Sequence, residues 1–424
     1  MIKLDKEIFE RESVRKVISE IYGDEKKGLI LHIQQNIKKY VKENELKGSK
    51  YEERSISNYK GLLSERYKMV FGSEIQYEKL KELLLGNKQI IDAYIDSFID
   101  GDKEIYSIVE GFYYLNDKIH VKNIRHNLEK MNYSGQEMQE KLQDFISDFS
   151  EWYKKNTSIA VDTANDILAQ EHREKFLKEN EEYTKYYITV KILEQIKQEK
   201  HFDYNKLNAY RHRLLVAMDI RVCPYCNRQY INKYNKDKKE QITADLDHFY
   251  PKSKYPYLAL SLYNFVPSCQ ICNSRFKVDK NEWYDSHLYP YEEGFEEEVK
   301  FEISDNSIDY LVCKNREDDF EITITKTDNP RINRSTKIFN LEEVYQSHKD
   351  YVKEIIYKSI FYNETQREEY YKSFNELFAS PDELIEIIFG SYIVHGEYSN
   401  QPLSRLAHDI LIELGIECNV TEGK

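Results

Sequence analysis

Ile91, Tyr94, Ile95, Phe98 and Ile99 recur at i, i+3, i+4, i+7 and i+8. That is the stripe one face of an α-helix presents, and Gly101 follows where such a helix would end. Ser134 and Glu137 form a capping box ahead of Met138, Leu142, Phe145, Ile146 and Phe149, which fall on one face of a second helix. Helical spacing runs through most of the first 200 residues without a fixed-period repeat, so a helical domain is expected there and a solenoid is not. The period changes further on. Val299, Phe301 and Ile303, then Ile308, Tyr310 and Val312, then Phe320, Ile322 and Ile324 alternate with polar residues, which predicts a small antiparallel β meander. Helix returns from Asn340 to Gly415, where Ser380-Pro381-Asp382-Glu383 reads as a cap with proline at the first helical position, ahead of Leu384, Ile385, Ile387 and Ile388. The expected fold class is α+β in a mostly helical chain.

Composition narrows the field. With 14 Gly and 8 Pro in 424 residues, collagen-like and Pro-rich classes are excluded. Mean hydropathy is −0.74, and no 18 apolar residues run together, so a membrane span is not expected. The stretch Met1 to Glu7 mixes both charges and lacks the apolar core of a signal peptide, which favours a cytoplasmic protein. The 36 Tyr and 19 Phe are spread along the whole chain, a compositional bias rather than a base-stacking surface.

The net charge is −13, but it is unevenly distributed. Residues 201–280 carry 14 bases against 7 acids, a basic island onto which a polyanion could dock. Residues 281–330 carry 15 acids against 4 bases.

The basic island also holds the residues with chemistry. Cys223 and Cys226 form one C-x-x-C, and Cys269 and Cys272 form another; Cys313 and Cys418 stand alone and read as ordinary thiols. Four thiolates in two knuckles are the ligand set of a closed, structural zinc site, with one Zn²⁺ expected per chain. The 42 residues between the knuckles exceed what a plain zinc ribbon needs, so something else is folded between them. That insert contains Asp247 and His248 in succession and then Asn264, and Asn273 directly follows the second knuckle. A carboxylate and an amide offer hard oxygen donors for Mg²⁺ or Mn²⁺, and a neutral imidazole can deprotonate water. If Asp247 and His248 lie within one strand, alternation sends them to opposite faces, and a turn or bulge would be needed for both to meet one phosphate.

Asp247-His248, Pro251-Lys252-Ser253, Asn264, Cys269 to Asn273 and Lys277 together resemble the pattern of the HNH, or ββα-metal, endonuclease family. The resemblance implies a ββα nuclease core stapled by zinc, with His248 as general base and Asp247 and Asn273 as ligands of the catalytic Mg²⁺ or Mn²⁺. Asn264 would be the central asparagine that pins the loop between the two strands. Arg275, Lys277 and Lys252 would hold nucleic acid, and Asp245 would support the site from behind. A looser likeness runs through the His287-Leu288-Tyr289-Pro290-Tyr291 turn, Asn340-Leu341 to His348-Lys349, and Pro402-Leu403-Ser404-Arg405-Leu406 to Asp409-Ile410. That layout is similar to the HNH subunits of Septu-type and retron-linked phage-defence systems, which work beside an ATPase partner.

The expected organisation is therefore a helical domain over 1–200, the nuclease core with its four-cysteine zinc site over 201–280, and an acidic meander with a helical C-terminal region over 281–424. The expected activity is metal-dependent hydrolysis of DNA by an effector that acts with a partner protein, and an oligomer is compatible with it. The alternatives are a non-catalytic zinc module that binds nucleic acid, and an HNH nuclease acting on RNA.

Overall fold

The computed structural model describes residues 1–23, 28–45, 59–98, isolated helical residues between 144 and 180, 191–253, 255–277, 287–295, 299–304, 320–394 and 398–416. The start of the helix expected from Ser134, the strand expected over 308–312, and Gly101, Cys313 and Cys418 lie outside the described residues.

In chain order the helices are α1 (Glu12–Tyr22), α2 (Leu29–Glu43), α3 (Tyr59–Phe71), α4 (Tyr77–Leu85), α5 (Lys88–Phe98) and α6 (Arg211–Met218). Four short strands follow: β1 (Lys233–Lys236), β2 (Lys239–Ile242), β3 (Asp245–His248) and β4 (Phe265–Ser268). A π-helical turn spans Cys272–Lys277. Beyond it come β5 (Phe301–Ile303), β6 (Ile322–Ile324), α7 (Pro330–Ile338), α8 (Leu341–Tyr345), α9 (Lys349–Phe361), α10 (Glu364–Ser373), α11 (Pro381–Phe389) and α12 (Ser404–Glu413). Among the described residues the strands form three two-stranded antiparallel sheets, β1-β2, β3-β4 and β5-β6. The described chain is mostly helical with small sheets, an α+β composition.

Contacts divide the chain into two compact units. One comprises Met1–Gly23, Asn205–Phe249 and Phe265–Lys424; the other comprises Asp24–Tyr204 and Tyr250–Asn264. The boundaries therefore differ from a division at residues 200 and 280.

The second unit is built on the apolar stripes read from sequence. Ile91 and Ile95 are buried on α5, and Ile33, Ile37, Leu63, Leu80, Leu83 and Leu84 are fully buried in the same unit. The Tyr67 hydroxyl and His201 Nδ1 share a buried hydrogen bond of 2.8 Å. The loop 250–264 is tied to α5: Tyr250 donates its hydroxyl to Asp92 Oδ1 at 2.5 Å, while Lys88 donates to Asp92 Oδ2 at 2.6 Å.

In the first unit the N-terminal segment is stitched by its backbone. Ile2 N donates to Pro224 O at 3.0 Å, Leu4 N to Pro290 O at 2.7 Å, and Phe295 N to Met1 O at 3.1 Å. A Cβ on Gly294 would lie 2.7 Å from Lys3 N, so only glycine permits that approach. Arg11 and Ser13 donate to the carbonyls of Met218 and Ala217, satisfying acceptors that the end of α6 leaves open.

Helix α12 completes the β5-β6 sheet. Phe301 N donates to Asp409 Oδ2 at 3.0 Å and Ile303 N to Glu413 Oε2 at 3.0 Å, so carboxylates take the place of a third strand on that edge. On the other edge, Gln346 accepts from Ile322 N and donates to Ile322 O. The cap of α11 has the form read from sequence: Ser380 Oγ accepts from Glu383 N, and the Glu383 carboxylate accepts from Ala379 N. Leu384, Ile385 and Phe389 of this helix are buried, whereas Ile387 is exposed.

Arg405 holds this unit together from within. Its guanidinium donates to Asp409 Oδ2 at 2.9 Å and to the carbonyls of Phe295 and Val299, each at 3.1 Å. Asp409 is 1% exposed, so removing its cation strands a buried charge. Arg405→Met is expected to lower stability by about 3–5 kcal/mol in urea denaturation, and adding Asp409→Leu in the same chain is expected to recover part of that loss.

Candidate functional site

The first knuckle is a tight turn. Asn227 N donates to Cys223 O at 2.8 Å, and Cys223 N donates to Gln229 O at 3.0 Å. Asn227 closes the turn at φ +48°, a left-handed conformation that asparagine tolerates better than most residues. The second knuckle leaves the end of β4 and enters the π-helical turn, where Asn273 N donates to Cys269 O at 3.0 Å and Cys272 N lies 3.5 Å from Cys269 Sγ.

The two turns bring four buried sulfurs within 4.8 Å of one another, with Cys226 Sγ and Cys269 Sγ 4.0 Å apart. No disulfide joins them. Four thiolates around a zinc ion at about 2.3 Å are separated by about 3.8 Å, so the cluster needs only a small contraction to hold one. Hydrogen bonds from Cys223, Cys226 and Cys272 hold the Cys269 thiol far below the usual range, while burial pushes Cys223 up. One cation at the centre would replace these shared protons.

The outside of the first knuckle is equally constrained. Tyr345 donates its hydroxyl to Cys226 O at 2.7 Å. Asn227 donates from Nδ2 to Tyr398 O at 2.8 Å, while its Oδ1 accepts from Arg405 N and its carbonyl from Leu403 N.

Strand β3 carries Asp245, Leu246, Asp247 and His248 opposite Ser268, Pro267, Val266 and Phe265 of β4. Asp247 and His248 both lie within the strand, so alternation puts Asp245 and Asp247 on one face and His248 on the other. The His248 ring meets Phe265 edge-on at 5.2 Å, and His248 is the last residue before the chain leaves the ladder.

Asp247 is 4% exposed and accepts two hydrogen bonds on Oδ2, one from the Tyr225 hydroxyl and one from Lys277 Nζ, both at 2.7 Å. Tyr225 lies between the two cysteines of the first knuckle and is stacked on Phe339 at 4.4 Å. Burial, and then the Asp247 charge, push the Tyr225 phenol well above its usual range, which keeps it a neutral donor. Lys277 ends the π-helical turn, is 2% exposed, and also donates to His248 O at 2.5 Å. One buried ion pair therefore joins the first knuckle, β3 and the turn that follows the second knuckle.

Asn273 is drawn to Asp245 rather than to Asp247: its Nδ2 donates to Asp245 Oδ2 at 3.2 Å. Lys277, expected to hold nucleic acid, is buried with its ammonium committed to Asp247 and His248. Arg275, on the same turn, is exposed. Lys252 and Asn264 belong to the second unit. Lys252 is exposed there, with Nζ 4.6 Å from the centre of the Tyr204 ring. Asn264 is fully buried and committed to backbone: its Oδ1 accepts from Tyr250 N at 2.6 Å, and its Nδ2 donates to Tyr250 O and Leu258 O, both at 3.0 Å. It shapes the loop and offers nothing to a substrate.

Sequence reasoning passed over Tyr225, Asn227 and Tyr345. The position of Tyr225 inside C-x-x-C was the one signal pointing toward it. The other two act through tertiary contacts with no local signature.

No model of a known protein family matches the chain, and no curated protein or solved structure matches it either. Among the described residues, no helix is long and apolar enough to cross a membrane.

Cys226→Ser is expected to abolish stoichiometric zinc by atomic absorption and to lower the melting temperature, because a structural metal contributes folding energy. Tyr225→Phe is expected to retain zinc yet cost about 1.5–3 kcal/mol in denaturation, the range for a hydrogen bond to a charged group.

Proposed function

We propose that this chain is a metal-dependent endonuclease of the HNH, or ββα-metal, type that hydrolyses phosphodiester bonds in DNA. The observation that carries the reading is the compact grouping of β3, β4 and the Cys272–Lys277 turn, which collects Asp245, Asp247, His248, Asn273 and Lys277 beside a four-cysteine cluster. The motif resemblance supports the same reading.

In this proposal His248 is the general base. The carbonyl of His248 is held by Lys277 and its ring rests on Phe265, so the imidazole has a defined position at the end of β3. Because Asp247 and His248 alternate, this reading requires the phosphate to sit at the strand end, where the chain leaves the ladder after His248. The neutral imidazole takes a proton from water as water attacks phosphorus.

The oxygen donors fit a hard divalent cation. Asp245 and Asn273 stand side by side, and Asp247 receives both of its donors on Oδ2, leaving Oδ1 for a ligand role. Asp245, Asp247 and Asn273 would hold Mg²⁺ or Mn²⁺, which when bound neutralises charge on the scissile phosphate and the leaving oxygen. Lys277 is assigned to positioning Asp247, and phosphate binding falls to Arg275. By the family resemblance the products carry 5′-phosphate and 3′-hydroxyl ends. The looser resemblance of the C-terminal layout supports a phage-defence effector that acts with an ATPase partner.

The Lys277–Asp247 ion pair favours a second reading, a zinc module that binds nucleic acid without cutting it, because an ammonium already neutralises the carboxylate. Incubation of wild type and His248→Ala with supercoiled, linear and single-stranded DNA and with RNA, with and without Mg²⁺ or Mn²⁺, separates the readings. Wild type is expected to cleave DNA only with the divalent ion, and His248→Ala to lose about 10²-fold or more in rate with zinc content unchanged. Full cleavage by His248→Ala would refute the role of the imidazole; binding without cleavage by wild type would select the second reading.

A further inference from the structure

Strands β1 and β2 form an exposed hairpin between the first knuckle and β3, with Lys233, Tyr234, Asn235 and Lys236 registered against Ile242, Gln241, Glu240 and Lys239. Directly opposed residues share a face. One face therefore carries Lys233, Asn235, Glu240 and Ile242, the other Tyr234, Lys236 and Gln241.

The first face meets the protein only at the base of the hairpin; Asn235 and Glu240 are exposed. Ile242 is 3% exposed, and Lys233 is paired with Asp219 at 2.6 Å. The second face contains no acid. Tyr234 is 45% exposed, Lys236 is exposed, and the register places a second lysine directly opposite Lys236. The two-residue tip has Asp237 at φ +52° and Lys238 at φ +62°, left-handed positions where Asn-Gly would sit with less strain, and Lys238 is exposed there. A hairpin that keeps lysines at such places, in a chain of net charge −13, is arranged for a polyanion.

We propose that the exposed end of this hairpin, Tyr234, Lys236 and Lys238, docks duplex DNA by lying along the phosphates that border the major groove. A two-stranded ribbon fits the major groove of B-form DNA, whereas the deep, narrow major groove of A-form RNA does not admit it. The proposal rests on the nuclease reading only for its purpose; the surface itself is defined by register, exposure and charge.

The test is fluorescence anisotropy of a labelled duplex oligonucleotide without divalent ions, between ~50 and ~200 mM salt. Lys236→Gln with Lys238→Gln is expected to bind about tenfold more weakly or worse and to reduce the slope of log K against log salt by about 1.8, the loss of two phosphate contacts. Lys233→Gln makes the same kind of charge change at the base of the hairpin, where Asp219 already pairs the ammonium, and is expected to bind as wild type. Equal zinc content and circular dichroism establish that the variants are folded. The proposal is overturned if the double variant keeps wild-type affinity and slope, if Lys233→Gln weakens binding as much per charge, if wild type prefers duplex RNA, or if wild type binds no nucleic acid. Cleavage is scored separately. A chain that cuts DNA without using the hairpin sinks this proposal alone, and one that binds through the hairpin but never cuts sinks the nuclease reading alone.

Discussion

One buried carboxylate ties the centre of the first unit together. Asp247 is reached by a hydroxyl from the first knuckle and an ammonium from the turn after the second. These donors come from chain segments far apart in sequence, and both converge on one oxygen of a short strand. Two antiparallel strands of that length are marginal by themselves. A buried ion pair is costly to assemble and more costly to break, so its geometry is specified by everything around it. The four sulfurs supply that surrounding constraint, because the turns that carry them also carry Tyr225 and the start of the π-helical turn.

The knuckle is in turn fastened from outside. Asn227 and Cys226 receive or make hydrogen bonds with Tyr345, Tyr398, Leu403 and Arg405, all from the last quarter of the chain. The same Arg405 joins Asp409 to the carbonyls of Phe295 and Val299, and Asp409 closes the edge of β5. The C-terminal helices thus support the cysteine cluster. This gives a physical reason for the C-terminal region and the two cysteine knuckles to fall into one compact unit.

Charge is divided between two tasks. Inside, the cations of Lys277 and Arg405 have a carboxylate and carbonyls within hydrogen-bond reach, and these groups hold the fold. Outside, Lys236 and Arg275 present their cations to solvent. Desolvated charges must be paired, whereas solvated ones can stay available to a polyanion. The net charge of the whole molecule is therefore a poor guide to where a polyanion would bind.

Local pattern along the chain is enough to specify the helix stripe at Ile91 and Ile95, the Ser380 cap, the alternating strands around Phe301 and Ile322, and the four cysteines as one cluster. Each rests on a local period or a fixed spacing, so short windows of chain carry the whole signal. Only the tertiary structure decided that Asn273 meets Asp245, that Lys277 is buried against Asp247 instead of exposed, and that Tyr225 is the phenol that completes this pair. It also decided that the first residues of the chain pack against Pro224 and Pro290, and Arg11 against the end of α6. Those outcomes depend on which face each strand turns inward and on distant groups competing for one buried carboxylate. A buried charge takes the partner that the fold brings within reach, and no spacing along the chain records which partner that is.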